Sequence, residues 1–277
     1  MAGKTHLQLA EIEFYYCSDL HNDVFAHCDP QQKDFGCWYF HRAGPGKAFK
    51  EGTYKGLDLA IGSSKAFCGV LIRSVRKADG SVVQGSCLCV NELLKVVGAK
   101  NVTEFANRLA TSSQLGFAST DAKHALRLVH AAKPRTDRVD TSCRVGLTLK
   151  KTTNRKERLA FIGAPFRFTT AATLIRKGAP QQCAALKHQG KDNAMIAHLT
   201  ALKPKIVEGY VALFEAGKKR KLADLFGKAI KPADYAELFG RWVAYKAKGA
   251  DDDDDDDDQD DNEEGDDDDA DDIDEDE

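Results

Sequence analysis

No stretch of this chain stays apolar for the roughly 18–20 residues that a bilayer-spanning helix needs. Its start, Met-Ala-Gly-Lys-Thr-His, has no apolar signal region, so secretion is not expected. No internal repeat is present. The eight cysteines (Cys17, Cys28, Cys37, Cys68, Cys87, Cys89, Cys143 and Cys183) contain no C-x-x-C pair. Cys87 and Cys89 fall in a strand-like run that points both to one face. Scattered thiols of this kind fit reduced, buried cysteines of a cytosolic or nuclear protein better than a zinc site, and no metal is expected. The most informative absence lies at the C-terminus. Residues 251–277 hold 22 carboxylates, no Lys or Arg, and a single large apolar residue, Ile273. Such a segment repels itself and has nothing to bury, so disorder is expected.

Base is abundant elsewhere. Taking those 22 from the chain's 43 Asp and Glu leaves 21, against 40 Lys and Arg, all of which precede the tail. The near-neutral total of −3 therefore hides a body of about +19 fastened to a polyacid. A body this basic calls for an anionic partner, and nucleic acid is the commonest. The tail reads as a tethered competitor for the same surface. Through it, basic proteins are further candidate partners.

The expected fold class is α+β: a mixed, mainly antiparallel curved sheet with flanking helices, a C-terminal helical appendage and the disordered acidic tail. Ala10–Ser18, Gly56–Gly62 and Ala66–Arg76 read as strands. Asp79-Gly80 is a hairpin signal, with Ser81–Val90 as the return strand. Asn101 with Glu104 three residues on is a capping-box pattern, and Phe105 with Leu109 forms an apolar i,i+4 pair. Ala122–Ala132 reads as a second helix. Cys143–Lys150 and Arg158–Thr170 return to strand composition. Helical periodicity then takes over in Gln181–Leu202, Lys205–Phe226 and Pro232–Lys248, with Leu238, Phe239, Trp242 and Val243 in one stripe and Pro232 in the first turn. These signals give three segments: 1–177, 178–249 and 250–277. Lys218-Lys219-Arg220-Lys221 fits two readings equally, a nuclear localisation signal or a solvated helix end. The acidic tail adds weight to a nuclear location.

One constellation has chemical content. Glu13 and Tyr15 alternate onto one face of the first strand. The loop that follows ends in Phe25-Ala26-His27, and Val70-Leu71-Ile72-Arg73 sets an arginine at the end of an apolar strand. A carboxylate, a phenol and an imidazole are thus expected to meet at one strand end, with the arginine at the end of a separate strand further on. The bland reading is a solvated Glu, a packed Tyr and a non-catalytic His.

At these residues the chain resembles the alkyladenine (3-methyladenine) DNA glycosylase family. That family has an E-A-Y triplet on a strand and then a loop closing on A-H, matched here by Glu13-Phe14-Tyr15 and Ala26-His27. Its P-G-T-x-Y-V-Y-x-x-Y-G segment is similar to Gly52–Gly62, which keeps the G-T start and the closing Gly. Its V-L-L-R-A strand resembles Val70–Ser74, and its G-P-x-K-L-x-x-A-L helix resembles Gly98–Leu109. Its R-V-G-I and P-x-R-F pieces match Arg144-Val145-Gly146-Leu147 and Pro165-Phe166-Arg167-Phe168. The pieces occur in the same order from residue 13 to residue 168; the helical appendage and the tail lie outside the match.

The resemblance implies a DNA base-excision repair enzyme that rotates a damaged purine (alkylated or deaminated) out of double-stranded DNA and hydrolyses its N-glycosidic bond. It implies Glu13 as general base, Arg73 as the residue holding the attacking water, and Tyr15 and His27 on either side of the flipped base. No organic cofactor is implied, and a monomer without membrane attachment is expected. Two positions depart from the family. Its second stacking aromatic falls near Asp58, where a carboxylate can accept a hydrogen bond from an exocyclic amine instead. Its intercalating Tyr falls near Ile61, where an apolar wedge is the substitute. The run Trp38-Tyr39-Phe40-His41-Arg42 either replaces the missing aromatics or packs into the core. These departures keep an alternative open: a catalytically silent nucleic-acid-binding protein on the same fold, regulated by its tail.

Overall fold

The computed structural model describes residues 5–111, 116, 126–130 and 137–249. The acidic tail, with its expected disorder, lies outside the described residues. So does most of the helix expected over Ala122–Ala132, of which residues 126–130 are described and carry no regular element.

The protein is α+β. Eight strands form one open sheet: β1 (Gln8–Ser18), β2 (His21–Asn22), β3 (Cys37–Phe40), β4 (Leu57–Ala60), β5 (Ala66–Arg76), β6 (Val82–Gln84), β7 (Asp140–Ser142) and β8 (Arg167–Thr169). The spatial order is β3-β4-β5-β1-β8-β7, with β2 folded onto β1 and β6 onto β5. The pairings of β1 through β6, and of β1 with β8, are antiparallel. Alternation along these strands separates an apolar face from a polar one. Trp38, Phe40, Leu57, Leu59, Val70 and Ile72 enter the core, joined by Ile12 and Phe14 of β1. They meet Cys89, Val90, Leu93 and Leu94 of α1 (Ser86–Val97), and Val102, Phe105 and Leu109 of α2 (Val102–Thr111). Truncating Phe105, which is fully buried, costs about 3–5 kcal/mol.

The cap of α2 forms as the sequence suggests, with one difference. Asn101 Oδ1 accepts from the Glu104 N–H at 2.8 Å, and Glu104 accepts from the N–H of Lys100 rather than Asn101, at 2.7 Å. Three expected strands are corrected. The return strand over Ser81–Val90 stops at Gln84, because Gly85 turns the chain with φ 99° and the apolar spacing of Cys89, Val90, Leu93 and Leu94 then suits a helix. Cys87 and Cys89 are therefore helical and diverge. In Arg158–Thr170, the first residues belong to helix α3 (Arg155–Phe161), and only Arg167–Thr169 joins the sheet. Cys143–Lys150 contributes no strand; the sheet takes Asp140–Ser142 instead.

The chain divides into two compact units. The first runs to Thr141 and includes Phe166–Lys177. The second takes Ser142–Pro165 and the helices from Gly178 onward, so residues 142–165 group with the appendage rather than with the segment that ends at 177. Within the second unit α3 is joined by α4 (Ala179–His188), α5 (Asn193–Thr200), α6 (Pro204–Gly217) and α7 (Tyr235–Lys248). Phe214 stacks on Phe239 at 6.0 Å and Phe239 on Trp242 at 5.7 Å, which makes the aromatic stripe of α7 the centre of this second core. No helix among the described residues is long and apolar enough to cross a membrane.

Candidate active site

Strands β3, β4, β5, β1 and β8, whose polar face carries the candidate site, lie in the first unit. Cross-strand partners share a face, and the register aligns Tyr39, Asp58, Leu71, Glu13 and Arg167 in one row across β3, β4, β5, β1 and β8. Tyr39 and Glu13 are fully buried, and Asp58 and Arg167 are nearly so.

Glu13 lies at the centre of this row. The Tyr15 hydroxyl, two residues along the same face, donates to Glu13 Oε2 at 2.9 Å. Arg73 Nε stands 3.5 Å from Glu13 Oε1 and 3.8 Å from Glu11 Oε1. Arg73 reaches both acids because the β1–β5 ladder is irregular there: Ile12 pairs with Ile72 and Glu11 with Ser74, which leaves Arg73 as the extra residue of a bulge. Its carbonyl is turned out of the ladder to accept from Gly85 N–H at 2.7 Å. The same bulge brings Ser74 to the polar side, where its hydroxyl donates to Glu11 Oε2, while Arg167 Nε donates to Glu11 Oε1. Burial pushes the Glu11 carboxyl up, but Arg167, Arg73 and the Ser74 hydroxyl outweigh it, and the net displacement is downward. Glu11, Ser74 and Arg167 are therefore members of the network that the sequence reading did not single out. The Glu-x-Glu alternation of β1 marks the first of them; the other two become visible only in the register.

A second cluster lies toward β3. Trp38 and Phe40 of the aromatic run enter the core, while Tyr39 and His41 turn to the polar face. His27 meets them. Its ring centroid is 4.3 Å from that of His41, nearly edge to face, and its Nδ1 is 3.5 Å from the Tyr39 hydroxyl. Two buried aspartates hold the loop that delivers it. Asp23 accepts from Phe25 N–H at 3.2 Å, and Asp29 caps the 3-10 turn Pro30–Lys33. Burial, then His41, then Lys50 holds His27 well below the ordinary imidazole range. Burial first, and then Asp29 and Asp58, pushes the Tyr39 hydroxyl above the ordinary tyrosine range.

Asp58 anchors this cluster from below. His41 Nε2 lies 2.9 Å from Asp58 Oδ1, and Gln32 Nε2 donates to Oδ2 at 3.2 Å. Two glycines make room. A Cβ on Gly69 would fall 2.3 Å from Asp58 Oδ2, and one on Gly56 would fall 2.3 Å from His41 Nδ1. Both Asp58 oxygens are thus engaged inside the protein. Ile61 is half-buried and packs against the apolar core, while its N–H donates to Cys68 O at 3.0 Å.

Of the six residues expected at the site, Tyr15 and Arg73 each contact Glu13. His27 and Asp58 belong to the neighbouring cluster, linked through His41, and Ile61 lies on the apolar side. Among the described residues, no group of three or more His, Cys, Asp or Glu is arranged to hold a metal ion.

No family model matches the chain, and no solved structure matches it. The chain is 30% identical over 164 residues to the uncharacterized protein L759 of Acanthamoeba polyphaga mimivirus, an alignment covering 54% of this chain and 73% of the viral protein.

Proposed function

This chain belongs to the same family as the uncharacterized mimivirus protein L759, and for it we propose hydrolysis of the N-glycosidic bond of a damaged purine flipped out of double-stranded DNA. The observation that carries the reading is the setting of Glu13: a fully buried carboxylate touched by the Tyr15 hydroxyl and the Arg73 guanidinium, on the same sheet face as an imidazole–phenol cluster. Together with the ordered motif resemblance, this supports a site in which Glu13 accepts a proton from water. The water oxygen bonds to the sugar C1′, the C1′–N bond breaks, and the base departs with the electron pair. Arg73 holds the water and Glu13 in register, and the Tyr15 hydroxyl fixes the Glu13 rotamer. The +19 body supplies phosphate contacts without sequence preference, and a nuclear monomer is the natural setting.

A second reading rests on Asp58 and Ile61. The positions that carry stacking and intercalating aromatics in the resembling family are here occupied by an internally bonded carboxylate and a packed aliphatic side chain. That favours a silent nucleic-acid binder regulated by its tail. Single-turnover base release from a duplex carrying one hypoxanthine or ethenoadenine separates the two. Release by the wild type that disappears in Glu13→Gln supports hydrolysis. Tight duplex binding without release from either lesion supports the silent binder.

A further inference from the structure

We propose that an exposed basic loop of the second unit, residues 150–156 with Lys228 beside it, is a binding site for the phosphodiester backbone of nucleic acid. This rests on the nucleic-acid partner that both readings above share, and not on hydrolysis.

Positive charge is divided unequally between the two units. Residues 142–165 and 178–249 carry 19 Lys and Arg against 7 Asp and Glu, whereas the larger first unit carries 21 against 14. The second unit therefore holds about +12 of the body's +19. Two basic clusters compete for attention within it. Lys218–Lys221 follows α6, but Lys218 pairs with Glu215 at 3.0 Å and Arg220 with Glu237 at 2.8 Å, so half of that run is already neutralised. Residues 150–156, Lys-Lys-Thr-Thr-Asn-Arg-Lys, contain four cations and no acid, and all but Lys151 are exposed. The next acid along the chain is Glu157, half-buried in the first turn of α3.

The fold gives this loop a defined shape. Asn154 takes the left-handed conformation, φ 51°, which Asn tolerates better than most residues. The buried Arg158 pins the turn from beneath: its Nε donates to Thr153 O at 3.0 Å, and its backbone N–H to Asn154 O at 2.9 Å. A second segment is tied on at two points. Gly227 N–H donates to Leu149 O at 2.9 Å, and the Arg155 guanidinium lies over the Phe226 ring at 4.1 Å. The first contact sets Lys228 beside the start of the loop. The second seats Arg155 on an aromatic face, which holds the group but supplies no counter-charge.

Lys, Arg, Thr and Asn side chains are the ones that bind phosphate oxygens, and a guanidinium fork takes two at once. Such contacts carry no base information, so the site acts on any sequence. The rival occupant is the acidic segment 251–277 of the same chain. An acidic run needs only positive charge, which Lys218–Lys221 also offers. The pinned turn and the seated guanidinium add fixed geometry, which suits phosphates that recur at one spacing along a duplex.

The test measures anisotropy of two undamaged duplexes of unrelated sequence with the full chain, over a range of salt. One variant combines Lys150→Gln, Arg155→Gln, Lys156→Gln and Lys228→Gln. The control removes as many charges through Lys218→Gln, Lys219→Gln, Arg220→Gln and Lys221→Gln. All of these side chains are exposed, and thermal melting checks that both variants fold. Lys156→Gln with Lys228→Gln takes over if the fourfold loop variant does not. The loop variant should bind both duplexes at least about tenfold more weakly at low salt, with the slope of log K against log salt shallower by about 3–4. The control should lose no more than about threefold, because half of its run is already paired. Equal losses in the two variants overturn the proposal, as does a loss confined to one sequence. Unchanged or tighter binding by the loop variant also overturns it, and gives the loop to the acidic segment. A wild type that binds neither duplex refutes the nucleic-acid partner and this site together. Absence of base release removes hydrolysis alone, because every readout of this test is binding.

Discussion

Replacing Glu11 with Gln separates the two acids of the network by their effect on stability. Glu11 is nearly fully buried and bonded by Arg167 and Ser74, with Arg73 at 3.8 Å. The amide keeps the shape but leaves the Arg167 guanidinium, which is 1% exposed, without its counter-charge. Breaking a buried pair from one side costs about 3–5 kcal/mol. At about 2–4 °C per kcal/mol for a domain of this size, the melting temperature should fall by about 6–20 °C. The pH dependence has a definite sign. The Glu11 carboxyl is displaced downward in the folded state, so its contribution is complete above the unfolded carboxyl range and disappears as pH falls through the folded value. The gap between wild type and variant in urea unfolding should stay constant from pH 8 to pH 6 and close on further acidification. Adding Arg167→Met to Glu11→Gln should recover part of the loss, because the stranded charge goes with it. A loss below about 1 kcal/mol, or a gap that widens toward acid, would refute the assignment of Glu11 as the structural acid.

Glu13→Gln, by contrast, should reduce base release by at least about a hundredfold while duplex affinity is retained, as single-turnover kinetics and anisotropy will show. Removing residues 251–277 should tighten duplex binding at low salt, with the difference shrinking as salt rises; equal affinities would exclude competition by the tail. Gly69→Ala places a methyl 2.3 Å from Asp58 Oδ2, so either Asp58 or the β4–β5 ladder must shift; the NMR resonances of His41 should move, and stability should drop by about 1–3 kcal/mol. Burial, followed by the neighbouring Cys17, pushes the Cys28 thiol up to about 12, so below that pH it is a thiol rather than a thiolate. Mass-spectrometric mapping after iodoacetamide at pH 8 should find it unmodified in the folded protein and modified after denaturation.

The parts of the site carried by strand alternation were legible in the residues. β5 spans Ala66–Arg76 as its apolar run suggests, and Glu13 and Tyr15 share a face because a strand repeats every two residues. The same rule, applied position by position to Trp38-Tyr39-Phe40-His41, separates two core residues from two site residues; taken as one aromatic run, the segment hides that division. Composition could not distinguish strand from helix over Ser86–Val90, where Cys, Leu and Val suit either, and the decision passes to the positive φ of Gly85. The Arg73 bulge is a property of how two strands pair, and no single strand contains it. Yet it is what turns an ordinary strand-end arginine into the shared partner of two buried carboxylates. One residue more or less in that ladder would carry Ser74 to the other face and break its bond to Glu11. The local sequence thus puts both carboxylates on one face of β1, and the register gives them different partners: Glu11 is held from both sides by Arg167 and Ser74, while Glu13 is met by Tyr15 and Arg73.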